Sequence, residues 1–525
     1  MSAEFTSSDA DLQTARPRFN PWLITIAVTS GAFMEVLDTS VTNISLRHIA
    51  GSFAVSTDEA SWILTSYLIA NAVILGASGW LSSLFGRKRL LLVSILVFTA
   101  SSAICGAAPN LASLILARVA QGIAGGALQP TAQALLLETF QPAKRGQAMA
   151  IYTAGVMIAP LIGPPIGGWI AEDHSWRLIF YINLPVGLFA ALMTAAYITD
   201  PPYLRRVRDL DYLGFGLMAL GLGALQVILD RGQQLDWFQS SPIRTLTIIV
   251  VISLAGFICR ELRVGTPIVD LRVLRNRNFA IGTLLITTVG GAAFYATITL
   301  VPMFLQTILG YTAALSGETL APRGIGALVG TVVTWRLAGK IDSRFLMICG
   351  VGLLGLSIYL LGAINLDIDK SAFFWPHVIN GFAFGLIPAP LTTAAISALR
   401  TEQICNATAL FSLAKNLGGS LGISAVTTLL ARRKQLYQSR LASHLTPYDW
   451  PLRQRLREAQ GLLGGQRAYG RIYGMLLQQS CLLAFLDCFR ILALICLVCV
   501  PLALCFKTPE RSGACRHRIK IAPQQ

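Results

Sequence analysis

Long apolar runs separated by short polar segments extend over most of this chain. A helix that crosses a bilayer needs about 20 mostly apolar residues, and fourteen runs approach or exceed that length, which we number as spans 1 to 14. They fall at 22–44, 60–84, 90–108, 111–137, 147–171, 177–198, 212–229, 243–259, 279–308, 314–338, 345–364, 373–399, 405–431 and 481–506. The pattern predicts an all-α polytopic membrane protein with 14 transmembrane helices.

The amino-acid composition excludes most classes of soluble protein. The 525 residues are 54% hydrophobic and 13% charged, whereas an ordinary soluble domain carries about 25% charged residues. So few charges cannot cover the surfaces of several soluble domains, which argues against an extracellular protein, a nucleic-acid-binding protein and a cytosolic enzyme. The net charge of +16 indicates instead cytoplasmic loops rich in Lys and Arg.

The distribution of Lys and Arg predicts the orientation. With the N-terminus in the cytoplasm, the inner segments carry 24 of these residues and the short outer loops carry 5. Cytoplasmic loops are the ones enriched in Lys and Arg, so we expect both termini in the cytoplasm. The outer segment 432–480 carries nine more, but long segments cross a membrane largely regardless of their charge.

Two stretches of the sequence match at an offset of 259 residues: Gly122 and Gly126 recur as Gly381 and Gly385. Internal repeats of this kind are frequent among secondary transporters. We therefore predict two six-helix bundles with spans 7 and 8 as an inserted pair. The expected parts are a cytoplasmic tail at 1–20, an N-terminal bundle at 21–198, inserted helices and loops at 199–278, a C-terminal bundle at 279–506 that includes the outer loop 432–480, and a second cytoplasmic tail at 507–525.

The loop after span 2 reads GWLSSLFGRKRLLL from Gly79 and resembles the cytoplasmic signature between the second and third helices of the major facilitator superfamily. Its glycines would allow close helix approach, and its cations would meet helix carbonyls and neighbouring acids. A positively charged inner loop after a tight turn would look similar. Ser83 and Leu84 depart from the superfamily pattern, which usually has Asp and Arg there. The residues assigned to this gating loop are Gly79, Gly86, Arg87 and Lys88.

Span 5 reads GVMIAPLIGPPIGGW from Gly155 and resembles the motif that marks antiporters within the same superfamily. Small residues four apart permit tight helix contact, and prolines remove backbone donors and bend a helix. A structural membrane helix could also carry Gly and Pro, but not commonly at this density. The residues of the motif are Gly155, Pro160, Gly163, Pro164, Gly167 and Gly168.

Further segments narrow the resemblance to the fourteen-span drug:proton antiporter family and its EmrB subgroup. They include FMEVLDTSVTNISL from Phe33, LARVAQGIAGG from Leu116, and LFSLAKNLGGSLGISAVTTLLARR from Leu410. The resemblance implies a major facilitator fold and proton-driven export of drugs across the bacterial inner membrane. It also implies a tripartite assembly, in which the pump joins a periplasmic adaptor and an outer-membrane channel.

Charged side chains inside a membrane are costly and usually functional. Glu35 and Asp38 are three residues apart on span 1, hence on one helix face. At about 1.5 Å per residue, Glu35 lies about 10 Å and Arg118 of span 4 about 12 Å below the outer surface. We predict that these three residues form a proton-coupling cluster, because burial favours a neutral carboxyl and a nearby guanidinium favours the ionised form. The alternative is a salt bridge that only fixes helix packing.

The substrate pocket leaves no motif, since such sites are large and mostly apolar. By position the candidates are Phe294, Tyr295, Phe304, Phe382, Phe384 and Lys415, and each aromatic residue would fit plain core or lipid contact equally well. Asp487 and Arg490, three apart in span 14, are expected to form an interfacial ion pair. Residues 452–463 of the outer loop are predicted to form an amphipathic helix. The EmrB resemblance implies that this helix faces the adaptor, and anionic lipid headgroups are the alternative because the segment is basic.

Proton-coupled export of lipophilic compounds is therefore the leading prediction. Export of a dedicated siderophore, lipid or other metabolite remains an alternative, as does a non-transporting membrane sensor. The five His residues have no metal-like spacing and no nucleophile motif is present, so no enzyme, cofactor, catalytic residue or metal site is predicted. The expected partners are membrane lipid, protons, lipophilic small molecules, the adaptor and the channel.

Overall fold

The computed structural model describes residues 20–199 and 211–506, except 266, 339, 366–368, 398, 400–402, 444, 446–447, 449 and 464. Nearly all of the described residues are helical. The tail predicted at 507–525 lies outside the described residues, as does the tail predicted at 1–20 except for its last residue. Each of the fourteen predicted spans coincides with a helix or with two or three consecutive helical pieces, which we label α1 to α14.

The first six helices contain the residues expected to couple protons. Three recognisable signals begin or end four of them: Asn20 accepts a hydrogen bond from the Trp22 N–H at 3.1 Å, Asn110 forms a capping box with Ser113, and Gly86 has φ 86° between α2 and α3. The helices are α1 Pro21–Phe53, α2 Trp62–Phe85, α3 Arg87–Ala107, α4 Leu111–Gly125 with Leu128–Thr139, α5 Pro142–Asp173, and α6 Leu178–Tyr181 with Asn183–Tyr197.

The remaining helices comprise the inserted pair and the second half. The pair is α7 Tyr212–Arg231 and α8 Ser241–Arg263. The second half consists of α9 Arg277–Leu285, Ile286–Ala293 and Phe294–Thr307, α10 Ala313–Leu337, α11 Ser343–Leu361, α12 Phe374–Leu386 with Pro388–Ile396, α13 Ile404–Ser443 and α14 Gly465–Leu504. The middle piece of α9 is a π-helical stretch, a feature that often occurs at functional sites.

Twelve of these helical segments are long and apolar enough to cross a membrane by length and composition. The two others, α10 and α13, are as long but less apolar, because they carry Arg323, Lys415 and several small polar residues. Both pack between other helices: α10 against α5 and α12, and α13 against α2, α9 and α14. A helix face that packs against protein can carry polar groups that a lipid-facing surface cannot.

The two halves pack in equivalent ways. In the first half α1 packs on α5, α2 on α4, and α3 on α6; in the second α9 packs on α13, α10 on α12, and α11 on α14. The repeated glycines explain part of this symmetry. A Cβ at Gly126 would lie 2.9 Å from the backbone N of Leu75, and one at Gly385 would lie 2.6 Å from that of Thr331. Both positions require glycine because two backbones approach closely.

The halves meet along two seams, α5 with α10 and α2 with α13. The inserted helix α7 packs against α2 and α13 at the second seam. Its Gln226 donates a hydrogen bond to Ser420 of α13 at 3.0 Å, and Arg231 donates one to Ser61, before α2, at 2.7 Å. The inserted pair therefore contacts both halves through α7.

The segment 432–480 is mostly helical rather than a loop. α13 continues past its apolar span to Ser443, α14 begins at Gly465, and a short helix at Trp450–Leu463 lies between them. We call that short helix the tip helix. The tip helix together with the parts of α13 and α14 that lie outside their predicted apolar spans is called the helical hairpin. Hydropathy marks where a helix is apolar, not where it ends, so the sequence did not give these boundaries. A helix does form over 452–463, as predicted, and Leu452 and Leu456 are partly buried along it.

The predicted ion pair within α14 is wrong. Asp487 pairs with Arg433 of α13, with 3.2 Å between Nη1 and Oδ2, and accepts a hydrogen bond from the Tyr437 hydroxyl at 2.7 Å. Arg490 instead lies near Gly362, which directly follows α11. The extension of α13 supplies the partner, and its continuation was not visible in the apolar pattern.

Candidate proton-coupling site

The predicted contact between Asp38 of α1 and Arg118 of α4 is present. Nη1 of Arg118 lies 2.5 Å from Oδ2 of Asp38, and both side chains are essentially inaccessible, with exposed fractions of 0% and 1%. The other oxygen of Asp38 accepts hydrogen bonds from Gln121 at 2.9 Å and Asn183 at 2.7 Å. Asp38 is therefore a fully buried carboxylate with a counter-ion and a complete set of donors.

Arg118 is held on several sides. Its Nε donates to the carbonyl of Ile63 at 3.3 Å and its Nη1 donates to Gln121 at 2.7 Å. Its guanidinium carbon lies 4.2 Å from the centroid of the Tyr67 ring, a favourable cation–π geometry. Only Nη2 has no hydrogen-bond partner. This network couples α1, α2, α4 and α6 at one depth.

Glu35, one turn before Asp38, has a different environment. Its side chain is buried, with an exposed fraction of 6%. Oε1 accepts a hydrogen bond from Asn71 of α2 at 3.0 Å, whereas Oε2 is buried and has no hydrogen-bond partner. No described cation forms an ion pair with it. The two predicted acids therefore do not share Arg118.

Polar side chains link Glu35 to the second half of the molecule. Asn71 accepts a hydrogen bond from Asn416 of α13 at 3.4 Å. Beside it, Lys415 donates to Gln129 of α4 at 3.3 Å, and the Lys415 ammonium is near enough to act electrostatically on Glu35. Lys415, predicted to line the substrate pocket, therefore lies at the seam between the halves.

This arrangement separates two chemical tasks. A buried carboxylate with an unpartnered oxygen is unstable relative to its neutral form, so proton binding relieves the desolvation cost at Glu35. Asp38 already has its cation and donors, and it holds Arg118 in position. Five amide side chains make this distinction and were not predicted from the sequence: Asn71, Gln121, Gln129, Asn183 and Asn416. Their signal was visible, because amide side chains inside apolar spans need hydrogen-bond partners.

The gating-loop residues are in close contact with their surroundings. Arg87 forms an ion pair with Glu138 at the end of α4, and both side chains are nearly inaccessible. Lys88 donates to the carbonyl of Ala195, in the last turn of α6, at 2.7 Å. A Cβ at Gly79 would lie 2.9 Å from Cα of Asn406, so this glycine allows the two halves to touch.

The span-5 motif faces α1 through its glycines. A Cβ at Gly163 would lie 2.6 Å from Oγ of Ser40, and one at Gly167 would lie 2.8 Å from Cγ1 of Val41. Gly155 faces Thr29 in the same manner, whereas nothing lies within 4 Å of a Cβ at Gly168. Pro160 and Pro164 lie within the continuous helix α5, and Pro160 is exposed.

The aromatic pocket candidates lie in three different surroundings. Phe294 and Phe384 are stacked with 3.4 Å between ring centroids, and Tyr295 packs edge-on to Phe294. Phe304 is a core residue of the second half, 1% exposed and surrounded by other phenylalanine rings. Phe382 is partly buried, and its backbone lies against Gly326 and Gly330 of α10.

Comparison with known proteins gives consistent matches. The family model described as Major Facilitator Superfamily matches residues 28–423. The fatty acid resistance protein FarB of Neisseria gonorrhoeae is 36% identical over 94% of this chain and 97% of its own length. The multidrug export protein EmrB of Escherichia coli is 34% identical over 94% of this chain and 96% of its own. The structure of the human organic anion transporter MFSD10 (TETRAN) aligns with this one with a TM-score of 0.59 at 11% sequence identity. The alignment covers 91% of this chain and 100% of that chain.

Proposed function

Since the chain belongs to the major facilitator superfamily, and is a multi-pass membrane transporter rather than an enzyme, we propose that it is a proton-coupled antiporter that exports lipophilic compounds. The names of its relatives, a multidrug export protein and a fatty acid resistance protein, support export of toxic amphiphiles. The proposed location is the bacterial inner membrane, with both termini in the cytoplasm. A dedicated exporter of one metabolite is the second candidate.

The environment of Glu35 is the observation that carries the coupling proposal. Its carboxyl is buried, has one oxygen without a partner, and lies beside polar groups of the opposite half. A change in its charge therefore changes the interaction across the α2–α13 seam. When Glu35 is ionised, it attracts the Lys415 ammonium across this seam; when it is protonated, that attraction disappears. Asp38 and Arg118 act as positioning residues that hold α1 against α4.

A coupled cycle follows from this geometry. Proton binding from the outer side neutralises Glu35 and weakens the seam, and release toward the cytoplasm restores the charge. The proton gradient drives export, and the difference in proton affinity between the two conformations couples proton entry to substrate movement. The helical hairpin is proposed to contact a periplasmic adaptor, because it is the one described segment that extends well beyond the predicted outer surface.

The decisive experiment measures uphill transport and exchange separately. The full chain is reconstituted in proteoliposomes, and uptake of ethidium and of radiolabelled decanesulfonate is followed with and without an imposed pH gradient. We expect Glu35→Gln to lower gradient-driven uptake by at least tenfold while leaving gradient-independent exchange intact, because the substituted group cannot bind and release a proton. Asp38→Asn should impair gradient-driven uptake as well.

The matched control is Glu318→Gln. Glu318 is an exposed acid of α10, 69% accessible, and its only described ion pair is a 3.7 Å contact with Lys370. Transport in this variant should equal that of the unmodified protein. Unchanged gradient-driven uptake in Glu35→Gln would reject the assignment, and uptake that never responds to the gradient in the unmodified protein would reject proton coupling itself.

A further inference from the structure

The second half contains a partly buried cation, Arg323, for which the described residues provide no counter-ion. Arg323 lies in α10, partly buried, and its Nη2 is inaccessible and has no hydrogen-bond partner. No carboxylate of the described residues forms an ion pair with it. An unpaired guanidinium inside a membrane protein is costly, and this cost calls for an explanation.

The contacts of the repeated glycines locate Arg323 within the internal symmetry. In the first half, Gly122 of α4 lies against the backbone carbonyl of Tyr67 in α2; in the second, Gly381 of α12 lies against the backbone carbonyl of Arg323 in α10. Arg323 therefore occupies the position that Tyr67 has in the proton-coupling site.

The charges of the two equivalent sites differ. Arg118, four residues before Gly122, stacks on Tyr67 and is neutralised by Asp38. Its counterpart, four residues before Gly381, is His377, which is 1% exposed and has an unpartnered Nε2. The charge of Arg323 acts on this imidazole. The second site thus has a guanidinium and an imidazole, and no described carboxylate pairs with either.

Aromatic rings lie directly beside this cation. The guanidinium carbon of Arg323 lies 4.7 Å from the centroid of the Phe294 ring, and Phe294 is stacked on Phe384. Phe294 immediately follows the π-helical stretch of α9. The next residue of α10, Gly324, touches Leu161 of α5, so Arg323 lies at the seam between the halves.

We propose that Arg323 binds the oxyanion headgroup of an amphipathic anionic substrate, whose apolar part lies along the partly exposed ring of Tyr295 and the aromatic residues beside it. A guanidinium binds a carboxylate or sulfonate through paired hydrogen bonds, and it stacks on aromatic faces at the same time. The substrate then supplies the negative charge that the site lacks. This inference rests on the proposed export function and adds the substrate class.

The test is a binding measurement that needs no pH gradient. The full chain is placed in phosphatidylcholine nanodiscs, and binding of radiolabelled decanesulfonate is compared with binding of decyltrimethylammonium, a cation of the same chain length. A charge-assisted hydrogen bond accounts for about a tenfold change in dissociation constant. We expect Arg323→Gln to weaken decanesulfonate binding at least tenfold and to leave decyltrimethylammonium binding unchanged or stronger.

Three variants and a lipid comparison make the outcome specific. Arg323→Lys keeps the positive charge but lacks the planar guanidinium that makes paired hydrogen bonds. It should therefore weaken decanesulfonate binding less than Arg323→Gln does. Arg336→Gln removes an exposed cation of the same helix and should have no effect, and Glu318→Gln, which removes an exposed acid of that helix, should have none either. The proposal is overturned if Arg323→Gln weakens decanesulfonate and decyltrimethylammonium binding equally. It is also overturned if decanesulfonate binding is unchanged in both Arg323→Gln and Arg323→Lys. Loss of decanesulfonate binding when a quarter of the lipid is phosphatidylglycerol would assign the site to anionic lipid and overturn it as well.

Because binding is measured at one pH, failure of this proposal is distinguishable from failure of proton coupling. If the protein binds decanesulfonate through Arg323 but shows no gradient-driven uptake, the substrate-site proposal holds and only the proton-coupling proposal is rejected. If transport depends on Glu35 and the pH gradient but anion binding does not depend on Arg323, the proton-coupling proposal holds and the substrate-site proposal is rejected.

Discussion

At the scale of single residues, the surroundings of the two acids of α1 differ more than their spacing suggests. Asp38 pairs with a guanidinium and accepts hydrogen bonds from two amide side chains. Glu35 accepts a hydrogen bond from the Asn71 amide, and its Oε2 has no hydrogen-bond partner. Helical rise alone predicted that Glu35 and Arg118 lie at similar depth. It could not predict that only Asp38 pairs with Arg118, because the pairing depends on how α1 and α4 are rotated against each other.

Asp38→Asn should destabilise the protein more than Glu35→Gln. Removing one partner of a buried ion pair leaves the other charge uncompensated, at a cost of about 3 kcal/mol or more in the free energy of unfolding. Glu35 forms no ion pair with a described cation, so its substitution should change that free energy by no more than about 1 kcal/mol. Chemical unfolding in detergent micelles measures both. Equal losses in the two variants would mean that Asp38 does not hold Arg118 in place.

At the scale of helices, small residues decide how closely α5 approaches α1. The glycines of the span-5 motif are not equivalent: Gly163 and Gly167 face α1 without space for a Cβ, while Gly168 faces open space. The pattern of small residues four apart indicated tight contact, but the sequence did not identify which glycines make it.

Gly163→Leu should therefore impair transport, and Gly168→Leu should not. A leucine at 163 would meet Ser40 and force α5 away from α1, with a loss of transport that we expect to be at least tenfold because this helix also forms the α5–α10 seam. Rates in proteoliposomes, normalised to correctly folded protein on size-exclusion chromatography, provide the measurement. Equal rates in the two variants would contradict a packing role for this face of α5.

At the scale of the whole molecule, the helical hairpin changes the outline expected from hydropathy. α13 and α14 each contain 40 residues, about 60 Å at 1.5 Å per residue, which is about twice the apolar thickness of a bilayer. They extend together past the predicted outer surface, joined by the Arg433–Asp487 pair. The tip helix therefore projects from the outer side in the predicted orientation.

Cysteines on the exposed face of the tip helix should react from the outside and crosslink to a co-expressed adaptor. Arg453 and Arg457 are exposed there, whereas Leu456 is partly buried. In a background with the native cysteines replaced by Ser, an impermeant maleimide should label Arg453→Cys and Arg457→Cys strongly and Leu456→Cys weakly. Lys340→Cys, exposed at the predicted cytoplasmic side, serves as the control and should stay unlabelled in intact cells. Labelling of position 340 alone would overturn the orientation, and crosslinking to lipid alone would reject the adaptor contact.

The sequence by itself determined the fold class: all fourteen apolar runs are helical, and the major facilitator fold implied by the motifs is confirmed. These properties are readable because span length and apolar character are local consequences of bilayer thickness. The tertiary structure alone decided that Asp38 rather than Glu35 pairs with Arg118, that Arg433 is the partner of Asp487, and that no described carboxylate forms an ion pair with Arg323. Those outcomes depend on the rotation, tilt and length of helices far apart in the chain, and no local pattern of residues encodes where such helices meet.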